Sequence, residues 1–194
     1  MLDVEVIQDP AAAAVALTPL RARMLAELRE PASAAALAQR IGLPRQKINY
    51  HLRALEAHGL VAVAEERMHG GLTERLLVAT AASYVVSPAA LGSSAPDPTR
   101  IGDRLSARYL IALAARIVRE VGAMAGRAEA EAEGRRLATM TIDTEIGFAT
   151  PEDRARFAEE LAQTVTRLAA KYHHDDGRPH RLVVAAHPVP KEES

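Results

Sequence analysis

The stretch that most constrains the fold runs over residues 44–61 and begins with proline. Ile48, Leu52 and Leu55 recur in it at helical spacing, so one face of the expected helix is apolar. Proline suits the first turn of a helix, and Gly59 follows the last periodic residue, where helices commonly end. The pattern predicts a helix with one face in the core and a polar face opposite.

The polar face of this helix is basic and rich in amides, with no acidic residue before Glu56. Arginine and lysine reach guanine and phosphate in the major groove, and asparagine and glutamine pair with adenine. An ordinary amphipathic helix with a solvated face is the alternative. If the helix binds DNA, we expect base reading by Arg45, Gln46, Asn49 and Tyr50, and phosphate binding by Lys47 and Arg53.

The preceding residues favour the DNA-binding interpretation. Thr18 and Pro19 are typical of a helix start, and Ser33 can cap a second, short helix. A tight turn over residues 42–44 then leads into the basic helix. This order is that of a helix-turn-helix.

Valine-rich residues from Leu60 to Glu66, a glycine-containing connector and a returning strand follow the basic helix. They predict a β-hairpin, the wing of a winged helix-turn-helix, with Tyr84–Val86 as further returning strand. Three basic side chains at its tip, Arg67, His69 and Arg75, are candidates for phosphate contacts. The net charge of the whole chain is only −1, but residues 18–80 carry nine Lys/Arg and six Asp/Glu, which leaves +3.

The recognition-helix pattern resembles that of the ArsR-type winged helix-turn-helix regulators. The resemblance lies in His51-Leu52, Leu55 and the exit Gly59-Leu60-Val61, and it covers roughly residues 18–86. It implies a dimeric transcriptional regulator, usually a repressor. The chain has no cysteine, so sensing of soft metals through a thiolate pair is excluded.

The C-terminal half begins after residues 88–100, a proline-rich stretch that we expect to be a linker. A long helix over 101–133 is predicted next. After it, the alternating pattern of residues 138–148 predicts a strand, Thr150 begins another helix, and residues 181–187 predict a second strand. The long helix over 101–133 has a broad apolar stripe, which predicts a homodimer. The alternative is that the stripe packs against another helix of the same chain. Its residues are Leu110, Leu113, Ile117, Val121 and Met124.

The expected fold class is therefore mainly α with a small β component (α+β). The expected domains are a winged helix-turn-helix over 1–87, the linker over 88–100, and a dimerisation and sensor region over 101–194. Apolar residues of this region suggest a pocket for a small apolar effector, although they can equally fill a core. They are Met140, Phe148, Phe157 and Leu161.

Two further groups of residues can carry chemistry but favour simpler interpretations. His173, His174 and His180 near Asp175 have metal-binding side chains, but their spacing matches no closed site, so no metal is expected. Asp143 and Glu145 have no nucleophile or phosphate loop beside them, so no catalytic site and no cofactor are expected.

The function that these features favour is a homodimeric regulator that binds double-stranded DNA at a pseudo-palindromic operator. The alternative is a winged-helix module for protein interaction within a larger assembly, which does not need a basic recognition helix. No apolar run reaches the roughly 20 residues of a membrane span. We expect a cytoplasmic protein that is not an enzyme.

Overall fold

The computed structural model describes residues 1–69, 72–130 and 137–190. They form two compact units, here called the N-terminal unit (Met1–Leu137) and the C-terminal unit (Ala138–Ser194). The elements are β1 (Glu5–Ile7), α1 (Pro10–Ala16), α2 (Pro19–Glu27), β2 (Ala32–Ser33), α3 (Ala34–Ile41), α4 (Arg45–Ala57), β3 (Val61–His69), β4 (Leu72–Ala79), β5 (Tyr84–Val86), α5 (Ala107–Ala130) and α6 (Pro151–Tyr172). The α+β fold class with an N-terminal winged helix-turn-helix is confirmed.

The helix-turn-helix is built by local signals at the ends of its helices. The Ser33 hydroxyl accepts a hydrogen bond from the Ala36 N–H at 3.3 Å and caps α3. Gly42 ends α3 in the left-handed region at φ 78°, and Gly59 follows α4 at φ 70°. A left-handed residue reverses the chain and lets the next N–H groups bond back to the last carbonyls of the helix. The Leu60 N–H does so with the Leu55 carbonyl at 3.0 Å.

The core of the N-terminal unit lies where α4 meets α1, α2, α3 and the sheet. The predicted stripe of α4 is confirmed, since Ile48, Leu52 and Leu55 are all buried. The other large members of this core are Ile7, Met24, Leu25, Leu28, Leu37, Ile41, Leu60, Val61 and Leu77. Burying a side chain of this size stabilises a fold by about 1.5–3 kcal/mol. Burial of the stripe therefore fixes the rotation of α4 about its own axis.

The wing is longer than the sequence predicted. Strands β3 and β4 are antiparallel, and β2 joins them to make a sheet in the order β2-β4-β3. The register continues through Glu66 opposite Arg75 and Arg67 opposite Glu74, so these residues lie on the strands and not at the tip. Opposite charges across a strand pair stabilise the ladder, which explains why it extends beyond the apolar residues.

The first seventeen residues contain strand β1 and helix α1, and Tyr84–Val86 does not form returning strand of the wing as predicted. Strand β1 instead pairs in parallel with β5, with Ile7 opposite Val86. The Asp9 carboxylate caps α1 by accepting the Ala12 N–H at 2.9 Å, and this backbone hydrogen bond is the main cause of its lowered pKa. The partner of β1 lies more than seventy residues away, so local patterns could not predict the pair.

The stretch 88–100, expected to be a linker, forms two 3-10 helices, Pro88–Ser94 and Pro98–Arg100. Both pack on α5, and Arg116 of that helix lies 3.6 Å from the Asp97 carboxylate. The division between the compact units falls at residue 137, not in this stretch. Prolines and small residues produced the expectation of a linker, but they also suit short 3-10 turns.

Helix α5 packs on the rest of the N-terminal unit with its small residues. Ala112 is buried, and a Cβ atom at Gly122 would lie 2.6 Å from Cγ1 of Val6 in β1. Glycine is thus required for the close approach of α5 to a strand. Val121 is nine residues, about 900°, from Ala112 and therefore points to the opposite side. Val121 and Ile117 are 37% and 39% exposed.

The C-terminal unit contains α6 but neither of the two predicted strands. Residues 137–150 and 173–190 have no regular secondary structure, so the strand–helix–strand prediction is wrong. An alternating pattern makes a strand only when a partner takes its hydrogen bonds. The predicted cap of α6 is confirmed, since the Thr150 hydroxyl accepts the Asp153 N–H at 3.1 Å. No side chain of α6 is buried.

We predict that Gly59→Ala lowers the free energy of unfolding by about 1–2 kcal/mol, because an L-residue pays this cost in the left-handed region. Nothing lies within 4 Å of a Cβ atom at position 59, so no steric clash contributes. Gly102→Ala is the matched control, since its surroundings are equally open and its φ is not in that region. Urea titrations of both variants measure the difference, and equal stabilities would contradict the prediction.

Candidate nucleic-acid interface

The polar side of α4 is the candidate interface. Because three apolar side chains of the helix are in the core, the remaining positions face outward. Arg45, Gln46, Lys47, Tyr50 and Arg53 are exposed and Asn49 is half-buried. Among the described residues, the three cations of this group form no ion pair within 4.0 Å, so their charges are available to an anionic partner. The six predicted positions of α4 are therefore all at least partly accessible, and Gln46, Asn49, Tyr50 and Arg53 share one face of the helix.

An open groove runs along the first half of α4. It has a volume of about 500 Å³ and is lined by Pro44, Gln46, Lys47, Tyr50 and His51. The Tyr50 and His51 rings meet edge to face with their centres 5.2 Å apart. Pro44 and His51 were not among the predicted contact residues. The groove places an aromatic ring beside an amide and a cation, the groups that contact base edges and phosphate.

His51 is the one half-buried titratable residue of α4's groove. Its Nδ1 atom is buried, as is Nε of Arg21 in α2, and neither has a hydrogen-bond partner in the described structure. Desolvation lowers the pKa of His51, and the charges of Arg21 and Lys47 lower it further. Both effects favour the neutral form of the imidazole. Arg21 belongs to α2, so His51 lies near that helix.

The two wing arginines are already paired with carboxylates of the same chain. Arg67 donates to both oxygens of Glu65, from Nε at 2.8 Å and from a terminal nitrogen at 2.7 Å. Arg75 donates to both oxygens of Glu56, at 2.5 and 3.3 Å. These hydrogen bonds raise the pKa of both guanidinium groups. The contact of Arg75 joins the wing to the end of the recognition helix.

The charge of the candidate interface is therefore uneven. Helix α4 carries three cations, whereas the described strands of the wing carry Arg67 and Arg75 against Glu65, Glu66 and Glu74. The His69 side chain lies outside the described residues. Sequence reasoning missed Glu56 as a partner of Arg75, because nineteen residues separate them and only the fold brings them together.

The predicted effector residues are only partly assembled. The rings of Phe148 and Phe157 are 5.3 Å apart, Leu161 lies one turn further along α6, and Met140 is 78% exposed. Of the C-terminal histidines, His173 lies 3.3 Å from the Asp175 carboxylate. The described residues include no cluster of three His, Asp or Glu side chains suited to a metal ion.

Comparison with known proteins agrees with this geometry. Residues 17–64 match the family model described as "Helix-turn-helix domain". The chain carries a helix-turn-helix domain. It is also similar to a solved structure, an ArsR-like transcriptional regulator from Rhodococcus sp. RHA1, at 28% identity over 62% of this chain and 89% of that one, with a TM-score of 0.31. No curated protein matches.

The matched range spans α2, α3, α4 and the start of β3, which together hold the candidate interface of α4. The helix-turn-helix that the sequence predicted is thus confirmed at the level of the domain. Within the described residues, no helix combines the length and apolar character needed to cross a membrane.

We predict that Glu56→Gln strengthens binding to nonspecific DNA and steepens its salt dependence by up to about one unit, because Arg75 then keeps only its longer contact with Glu66 at 3.7 Å and can bind a phosphate. The same change costs about 0.2–1 kcal/mol of stability at most, since the pair is partly exposed. Glu30→Gln removes an equal charge from an exposed position and is the control. Fluorescence anisotropy over a salt series measures both slopes; equal slopes would show that Arg75 does not reach DNA.

Proposed function

We propose that this protein is a homodimeric transcriptional repressor that recognises a specific operator in double-stranded DNA through α4. The observation that carries the proposal is the two-sided character of α4. One side is an apolar stripe in the core, and the outward side carries an amide pair, Tyr50 and cations that form no ion pair among the described residues. The repressor role is proposed from the resemblance to ArsR-type regulators.

The proposal divides the surface of α4 by task. Arg45, Gln46, Asn49 and Tyr50 lie in the first half of the helix, the part that enters the major groove in helix-turn-helix complexes. We assign base reading to these four and phosphate binding to Lys47 and Arg53. Phosphate binding by the wing arginines stays a prediction, because each must first leave a carboxylate.

The homodimer is proposed from α5. Its small residues face the rest of the N-terminal unit. Ile117 and Val121 point away from it, and each keeps over a third of its surface exposed. A two-fold dimer built on this face would present two recognition helices to half-sites about one turn of DNA apart, roughly 10 bp or a multiple. The operator is therefore proposed to be pseudo-palindromic.

Selection of bound sequences from a random pool of duplex DNA tests the proposed function directly. A pseudo-palindromic consensus is expected. Recovery of no preferred sequence would overturn specific recognition and favour the alternative, a winged-helix module for protein interaction. The sequence distinguishes the two classes by the basic helix together with the basic residues of the wing, and this measurement decides between them.

We predict that Asn49→Ala weakens binding to the selected operator by about 1–3 kcal/mol and relaxes preference at one base pair. Lys47→Ala, the comparison variant, should weaken all sequences alike and reduce the salt slope by about one unit. The ratio of specific to nonspecific affinity measures the difference. A ratio that falls for Lys47→Ala but not for Asn49→Ala would reverse the assignment.

We predict that Ile117→Glu dissociates the dimer, because it places a charge in the centre of an apolar contact that would desolvate it. Operator affinity should fall sharply, since each monomer then contacts one half-site. Ile117→Leu keeps volume and polarity and should remain dimeric. Sedimentation equilibrium at micromolar concentration measures the masses, and a monomeric parent protein would refute the proposed assembly.

Control by a small apolar effector stays a prediction from the sequence, because only Phe148 and Phe157 of its proposed lining are in contact. A cytoplasmic location is proposed together with the function.

A further inference from the structure

The C-terminal unit has an unusual distribution of apolar surface. Among the described residues of this unit, none is buried, although α6 has 22 residues and a regular apolar stripe. The stripe consists of Phe157, Leu161, Val165, Leu168 and Tyr172. The first three are half-buried, and the last two are 46% and 68% exposed. A helix whose apolar face is uncovered normally gains its stability by packing against another element.

The charges of α6 are divided between its two halves. Residues 151–161 carry four acidic and two basic side chains, a net charge of −2. Residues 162–172 carry Arg167 and Lys171 and no acidic side chain, a net charge of +2. Two copies of α6 in parallel would place like charges together, whereas antiparallel copies would place each half beside its opposite. The charge pattern is therefore self-complementary.

The two flanks of the stripe differ as well. At about 100° per residue, one flank holds Glu160 and Lys171, and the other is occupied by small residues, Ala155, Ala158, Ala162 and Ala169. In an antiparallel pair with two-fold symmetry each flank meets its own copy. The charged flanks then lie together, and the alanine flanks allow the backbones to approach closely.

We propose that α6 pairs with α6 of a second copy of this chain in an antiparallel arrangement, centred on Val165. Centring on Val165 brings Leu161 opposite Leu168 and Phe157 opposite Tyr172 of the second copy. The same register places Glu160 beside Lys171 of the second copy, twice in each pair. In the described structure neither of these two charged side chains forms an ion pair, and the Lys171 ammonium lies 5.0 Å from the centre of the Tyr172 ring.

This contact is separate from the α5 face, and it does not depend on DNA recognition. Operator binding and self-association through α6 are measured in separate experiments. Failure of one proposal can therefore be distinguished from failure of the other. The two helices alone bury too little for a tight complex, so the pair adds to the association that α5 provides.

Charge exchange tests the proposed ion pair in the full-length protein. Glu160→Lys and Lys171→Glu should each weaken self-association by about fivefold to tenfold, as expected for two partly exposed pairs, and the double variant should restore it. Glu159→Lys makes the same chemical change about 100° further round the helix and should have no effect. Sedimentation over a concentration series at low salt measures the dissociation constants. Equal effects at positions 159 and 160, or no recovery in the double variant, would overturn the pairing.

Single cysteines test the orientation, because the chain contains none of its own. Val165→Cys lies at the proposed two-fold axis and should form a disulfide between two chains on mild oxidation. Tyr172→Cys lies seven residues from the axis, so its two copies would be roughly 20 Å apart and should remain reduced. Cross-linking at both positions would indicate parallel helices, and cross-linking at neither would place α6 against another surface; both results contradict the proposal.

Discussion

Burial of one stripe of α4 is the constraint on which the interface depends. Ile48, Leu52 and Leu55 are fixed in the core by α1, α2, α3 and the sheet, and no other rotation of the helix would bury them together. The outward face follows by exclusion and carries the cations, amides and Tyr50. The same hydrophobic burial that stabilises the N-terminal unit thus determines which side chains remain accessible for the proposed contacts with DNA.

Electrostatics then divides the interface into unequal parts. Cations of α4 are unpaired among the described residues, while the wing arginines are held by Glu65 and Glu56. The ion pair of Arg75 joins α4 to the wing and keeps the hairpin in a defined orientation to the recognition helix. A guanidinium that must exchange a carboxylate for a phosphate gains less from DNA than a free one, because the lost pair offsets the new contact. Recognition by the proposed regulator therefore depends mainly on the helix.

The second half of the chain presents apolar surface instead of enclosing it. Helix α5 uses alanine and glycine towards its own unit and larger aliphatic side chains on the opposite side. Helix α6 has no buried side chain at all. Both features have the same physical implication, because apolar side chains that a chain does not cover itself gain stability when a second molecule removes them from water.

The sequence alone determined the elements that depend on local interactions. Caps at Ser33 and Thr150, the glycine after α4 and the period of the α4 stripe predicted the helix-turn-helix and the start of α6, because each signal acts within a few residues. Tertiary structure decided the features that join distant residues. Pairing of β1 with β5, the Glu56–Arg75 contact and the packing of α5 on residues 88–100 link positions that no local pattern relates. The two predicted C-terminal strands failed for the same reason, since alternation creates a strand only where the fold supplies a neighbour for its hydrogen bonds.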